Sequence, residues 1–269
     1  MRHFKLIMNK NILDLSVLIW FSFAFISQFV FATYVTLFYG KATLTGNLEN
    51  WNKVLPHGYV KGEGLGNFIV GIHLFLAIII IIGGPLQLIT KIRNNFPKFH
   101  RYNGRVFILS AYIISLAGLF MVWVRGSVGG LIQHLSISFN AILIIIAATF
   151  VIINARSRNI KQHKNWAIRL YLLVNGVWFF RVGLFFLLYI NKGPAGYDPS
   201  TFKGPFLSFL SISQYAIPLI LFELYKFTKR KEKLIWNYIM SIILLIFTVI
   251  IIIGTYAVGK DMWVPKMLE

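Results

Sequence analysis

"RNNFPKFHRYNGR", residues 93–105, is echoed by "RSRNIKQHKNWAIR", residues 156–169. Arg93, Lys98, His100 and Arg101 have counterparts 63 residues on, at Arg156, Lys161, His163 and Lys164. Each phrase is wedged between two long runs rich in Leu, Ile and Phe. A run of about 20 apolar residues can cross a bilayer core as a helix. A basic phrase between two such runs reads as the turn of a helical hairpin, and two phrases read as a hairpin built twice. Pro97 suits a first helical position, and Asn95 and Asn159 are candidate caps. His100 and His163 are therefore expected in the first turns of the returning helices.

Working outward, apolar runs cover about 12–38, 67–90, 105–124, 130–154, 166–190, 205–227 and 235–258. They are continuous, without the alternation of a transmembrane barrel, so helices are expected. The predicted fold is all-α: a polytopic membrane protein of about seven transmembrane helices, forming a single integral domain over 1–269. Spans two to five, the core unit 67–190, are expected to form a four-helix bundle of two repeated hairpins. Spans 12–38, 205–227 and 235–258 flank it. Loops 39–66 and 191–204, rich in Gly, Pro and Trp, are candidates for a small cap. Pro218 is expected to kink the sixth span, and Asn175–Gly176 to let a neighbouring helix approach.

The chain is 57% hydrophobic and 13% charged, against about 25% charged residues in a soluble domain. Its net charge is +19, and position explains the excess. Eighteen of the 27 Lys and Arg lie at one set of span ends, eight at the other, and Arg181 lies inside a span. The positive-inside rule then puts the N-terminus in the cytoplasm and the C-terminus outside. The expected partners are the lipid bilayer and anionic lipid headgroups, not nucleic acid. Ile-, Lys-, Asn- and Phe-rich composition suggests an AT-rich bacterial genome. The first apolar run is too long for a cleaved signal and lacks a small-residue cleavage site, so it reads as an uncleaved span. Cysteine is absent, which excludes disulfides, iron–sulfur clusters, thiolate zinc and thioether haem.

His73 falls about six residues into the second span and His134 about four into the fourth, roughly 5–10 Å below the outer boundary. His100 and His163 fall near the opposite boundary, on spans three and five. Four histidines thus occupy four consecutive helices at two depths. Alternate helices of a bundle lie diagonally across its core, a geometry that lets facing imidazoles ligate haem b. His73 with His134, and His100 with His163, are the candidate iron ligands. The pattern resembles that of the cytochrome b-561 family, although spacings of 27, 34 and 29 residues are tighter than that family's. The alternatives are an interfacial His134, a His73 bonded to a neighbouring helix, and His100 and His163 at phosphate groups.

Arg181, in "NGVWFFRVGLF" (175–185), lies roughly 14 Å deep. Placing Arg there costs at least about 2.5 kcal/mol. Asp14 and Glu223 are both near the other side, so no acid matches its depth. Arg181 is expected to face a bound anion, whether haem propionate, anionic substrate or lipid phosphate, or to snorkel outward. Arg105 and Arg169 are further candidates for offsetting propionate charge.

The ordered set "GPLQL" (84–88), "P-x-x-HR-x-x-GR" (97–105), "RGSVGG" (125–130), "R-x6-HKNWAIR" (156–169) and "NGVWFFRVGL" (175–184) resembles the domain-of-unknown-function 2306 family of predicted bacterial membrane proteins. The family usually has His-Arg at the second site, where this chain has His163-Lys164. The resemblance implies a multi-span inner-membrane protein and supplies no activity. One functional expectation is a b-type haem-binding electron-transfer protein, with one or two haems and a quinone or redox partner. The other is a non-enzymatic protein that handles lipid or a small molecule, or a subunit of a membrane assembly. No P-loop, nucleophile elbow, dinucleotide fingerprint or HExxH occurs, and eight acids are few for a metal-dependent hydrolase. Whether the chain is an enzyme stays open.

Overall fold

A computed structural model describes residues 2–126 and 128–269, with side chains from residue 12 onward. The side chains of Arg2, Lys5 and Lys10, and Ser127 of "RGSVGG", lie outside the described residues. The helices are α1 (Arg2–Leu44), α2 (Gly64–Leu88), α3 (Thr90–Asn95), α4 (Pro97–Phe120), α5 (Leu131–Arg156), α6 (Ile160–Val174), α7 (Gly176–Asn191), α8 (Pro205–Lys231), α9 (Leu234–Val258) and α10 (Val264–Leu268). Among the described residues no strand forms, so the all-α expectation holds. Six helices are long and apolar enough to span a membrane, and α6 with α7 makes a seventh span bent by 51°. Only 22–39% of the most apolar window of each of those six is buried within the protein. Outward-facing Leu18, Phe29 and Leu109 are each more than half exposed. Such a surface is solvated by lipid, not water. The chain is a multi-pass membrane protein.

Several boundaries differ from the sequence reading. The third span begins at Pro97, not 105, so the first basic phrase is helical from there on. Pro97 starts the helix, and it runs on into a π-helical turn at Met121–Gly126. Asn95 does not cap α4: it ends α3, and Phe96 occupies the cap position without a side-chain bond. Asn159 does cap, accepting from the Gln162 backbone N–H at 3.2 Å. The last span continues beyond 258 through a π-helical turn (Gly259–Trp263) into α10.

The fifth span is not one helix. Asn175 ends α6 and turns its Nδ2 back onto the Tyr171 carbonyl at 2.7 Å. The chain restarts at Gly176, where an added Cβ would lie 3.0 Å from Asn140 Nδ2 and 3.3 Å from Gln214 Oε1. Below the break, α6 packs on α5, and the pairs α2/α4, α4/α5 and α5/α6 make the expected bundle. Above it, α7 leaves that bundle for α9 and α8. The four-helix unit is therefore complete only on the side of the basic phrases.

Small residues set the close approaches, as expected between helices in lipid. A Cβ on Gly84 would meet Phe107 at 2.9 Å and Tyr171 at 3.1 Å. In the second hairpin Ala147 and Ala148 are fully buried. Ion pairs show which residues share an end. Lys229–Asp14 and Arg169–Glu223–Lys226 occupy one end. Lys53–Glu269–Lys266 and Arg125–Glu63 occupy the other. There the 45–63 loop is pinned by buried Trp51, whose Nε1 donates to the Tyr39 carbonyl at 3.4 Å.

Candidate functional site

The 51° bend opens a cavity. Because α7 veers toward α9 while α6 stays with α5, a space of about 700 Å³ remains between α1, α6, α7, α8 and α9. That volume lies in the usual range for small-molecule sites. Its wall is overwhelmingly apolar, with Trp20, Phe179, Phe209, Phe222 and Phe247 among the lining residues. Polar atoms come at two heights. At mid-depth Ser213, Gln214 and Tyr171 line it. Pro218, also on the wall, has no N–H to offer the Gln214 carbonyl one turn back. That carbonyl therefore lacks its ordinary helical donor.

At one end the cavity reaches Asp14 and Tyr225. Lys229 pairs with Asp14 there, and Glu223 is shared between Arg169 and Lys226, the latter at 2.8 Å. The Arg169 guanidinium also stacks over Trp166 at 4.7 Å and Phe222 at 5.5 Å. Asp14 is the charged residue on the cavity wall; Arg169, Lys226 and Lys229 stand beside this end, each already paired with Glu223 or Asp14.

The histidines fall differently at the two depths. His100 and His163 come within electrostatic reach of each other, with Arg93 alongside. His163 Nδ1 lies 3.1 Å from the Val151 carbonyl. An acceptor there requires Nδ1 to carry the proton, which leaves the Nε2 lone pair outward. The His100 Nδ1 is buried without a partner. His73 packs beside Gly118 of α4, and its Nδ1 is buried without a partner. His134 lies edge-on to Trp123 at 6.0 Å. Gly118 lies in α4 and Trp123 in the π-helical turn that follows it, so His73 and His134 meet the third span at different points. Among the described residues no group of three or more His, Asp or Glu gathers in a metal-binding cluster.

The arginines also divide. Arg169 has a counter-ion in Glu223. Arg105 is exposed, 5.8 Å over the Tyr102 ring. Arg181 is half-buried, donates to Met262 Sδ at 3.3 Å and lies 5.8 Å from the Phe31 ring. Its surroundings are α1 and the π turn before α10, away from the histidines.

Residues 70–198 match DUF2306. The family is described as "Predicted membrane protein (DUF2306)", and the match bears out the family read from the ordered motifs. No curated protein and no solved structure matches the chain. The matched stretch runs from within α2 through α7, and contains all four histidines and the three arginines. Of the cavity wall, Leu88 at the end of α2 and the residues of α6 and α7 belong to it; α1, α8 and α9 supply the rest. Sequence reasoning missed Gln214 and Ser213 as site residues. The available signal was a pair of interruptions, Asn175–Gly176 and Pro218, in two neighbouring spans, since broken helices at mid-membrane are where binding sites occur.

Proposed function

We propose that the protein binds an amphiphile, non-catalytically, in the cavity beside the broken fifth span. The observation that carries this is a cavity of about 700 Å³, apolar in its walls and polar at mid-depth and one mouth. An apolar chain or ring fits the Phe-rich walls. A hydroxyl or amide donor suits the Gln214 carbonyl. A polar head suits the mouth, where Tyr225 and the Asp14–Lys229 pair lie. That mouth faces the cytoplasm of a bacterial inner membrane, because most of the Lys and Arg gather at that end. C-terminal fusions to reporters active on only one side of the membrane test this sidedness: activity of the outside reporter is expected.

The binding test is organic extraction of the purified protein with mass spectrometry of what it retains. Leu221→Trp places a large ring on the cavity wall. Wild type is expected to retain a stoichiometric amphiphile that the filled variant lacks. Equal retention by a folded Leu221→Trp protein would remove this reading.

A second reading is favoured by the inner histidines. His100 and His163 are neighbours, and the Val151 bond turns the His163 Nε2 toward a ligand, as in orientated metal-binding imidazoles. Haem b held there would make the protein an electron carrier for a quinone or other redox partner. A reduced-minus-oxidised spectrum tests it. A b-type band lost in His100→Ala and His163→Ala supports the reading; a flat spectrum from protein expressed with haem supplied rejects it.

A further inference from the structure

Around Phe31, hydrogen-bond donors outnumber acceptors. Tyr34 and Trp263 are both fully buried. The Tyr34 hydroxyl and the Trp263 Nε1–H are both without a partner. Trp263 lies 5.1 Å from the Phe31 ring and 6.1 Å from Tyr34, and Tyr34 lies 6.2 Å from Phe31. Arg181 stands over the same Phe31 ring. Its only side-chain acceptor among the described residues is the Met262 thioether, a weak one.

Three donors from α1, α7 and the π turn thus belong to side chains packed around Phe31, with no strong acceptor bonded to them. The Tyr39 hydroxyl is a neighbour of Tyr34 and outside hydrogen-bonding geometry. Were the two to bond each other, one O–H would still be left over. The nearby carboxylate, Glu269, is held by Lys53 at 2.9 Å and Lys266 at 2.6 Å. Asp261 is exposed and makes no ion pair among the described residues. A buried donor left unmade costs about 1–3 kcal/mol, and more where it is charged. One acceptor bearing negative charge would satisfy all three.

A smaller cavity of about 160 Å³ lies at the end of α1, with Phe38, Lys41, Lys266 and Glu269 among its lining residues. Phe38 stacks on Tyr34 at 5.7 Å, one turn deeper. Lys41 and Lys266 stand there with the Glu269 carboxylate, which Lys266 and Lys53 hold.

We infer that Arg181, Tyr34 and Trp263 form a binding site for an oxyanion: a carboxylate or phosphate group, from a free small molecule or a lipid headgroup. The site is separate from the cavity at the helix break and does not depend on what fills it. Arg181 supplies charge and a fork of donors matched to a planar or tetrahedral oxyanion. Tyr34 and Trp263 complete its shell from the buried side.

The test is thermal unfolding of the full chain in uncharged detergent, titrated with inorganic phosphate and separately with acetate. Parallel samples in nanodiscs compare phosphatidylglycerol with phosphatidylcholine. A saturable rise in Tm with a soluble anion is expected for a free ligand. A rise with phosphatidylglycerol alone identifies a headgroup. In either case Arg181→Gln is expected to weaken the response at least about tenfold, the loss of one charged hydrogen bond. Tyr34→Phe keeps the ring and is expected to weaken it as well, so the test survives if Arg181→Gln does not fold. Arg105→Gln should leave it intact. No response to any probe, or a full response in Arg181→Gln or in Tyr34→Phe, overturns the site.

Discussion

The two basic phrases begin alike and end differently. In the first, α4 starts at Pro97 without a side-chain cap, and Arg105 is exposed. In the second, Asn159 caps α6, the His163 ring is tied to Val151, and Arg169 is packed between Trp166 and Phe222 with Glu223 as counter-ion. The difference is what lies beside them. Both helices of the second hairpin pack directly along α8, and the first hairpin has no contact with it of that extent. A sequence repeat therefore reports shared topology, while the work of each copy depends on what its neighbours offer.

The largest effect is expected where the first hairpin is tightest. Gly84→Val would drive carbon into Phe107 and Tyr171, costing about 2–3 kcal/mol as overpacking. Thermal unfolding in detergent should show it as a large fall in Tm. Next comes Arg169→Ala, which removes a stacked cation and its ion pair. Half of Glu223 is exposed, so the expected cost is about 1–2 kcal/mol. Arg105→Ala should stay within about 0.5 kcal/mol, and equal losses in the two variants would erase the asymmetry. Asn159→Ala should cost about 1 kcal/mol as a lost cap, read by the same melt or by faster amide exchange over 160–163. The smallest contrast is between the histidines. His163→Ala loses a backbone bond worth about 1 kcal/mol, whereas the His100 ring has no partner at Nδ1 to lose.

Much of the fold was legible because hydropathy counts residues across a bilayer. Runs of Leu, Ile and Phe place the spans, and Lys and Arg sort their ends. Hydropathy carries no direction, however. Asn175–Gly176 sits inside an apolar run and hardly lowers its average, so the 51° turn left no trace in the profile. The cavity was hidden for a related reason: Asp14, Tyr171, Gln214 and Phe247 are far apart in the chain and meet only after the turn. Arg181 was readable, since a lone cation at depth needs an explanation whatever surrounds it. Tyr34 and Trp263 were not. An aromatic residue near a span end reads as an interface anchor, and only burial without a partner marks these two as donors in waiting.

The turn at Asn175 also bears on the bilayer the protein can occupy. Residues 160–191 laid out as one helix would measure about 48 Å, against a hydrocarbon thickness of about 30 Å. Straight spans answer such a mismatch by tilting as a whole. This one has a joint, with its lower arm fixed to the second hairpin and its upper arm fixed to α9. The bend therefore fits a long span into a thin apolar layer without tilting its neighbours, and the space beside α7 comes with that fit.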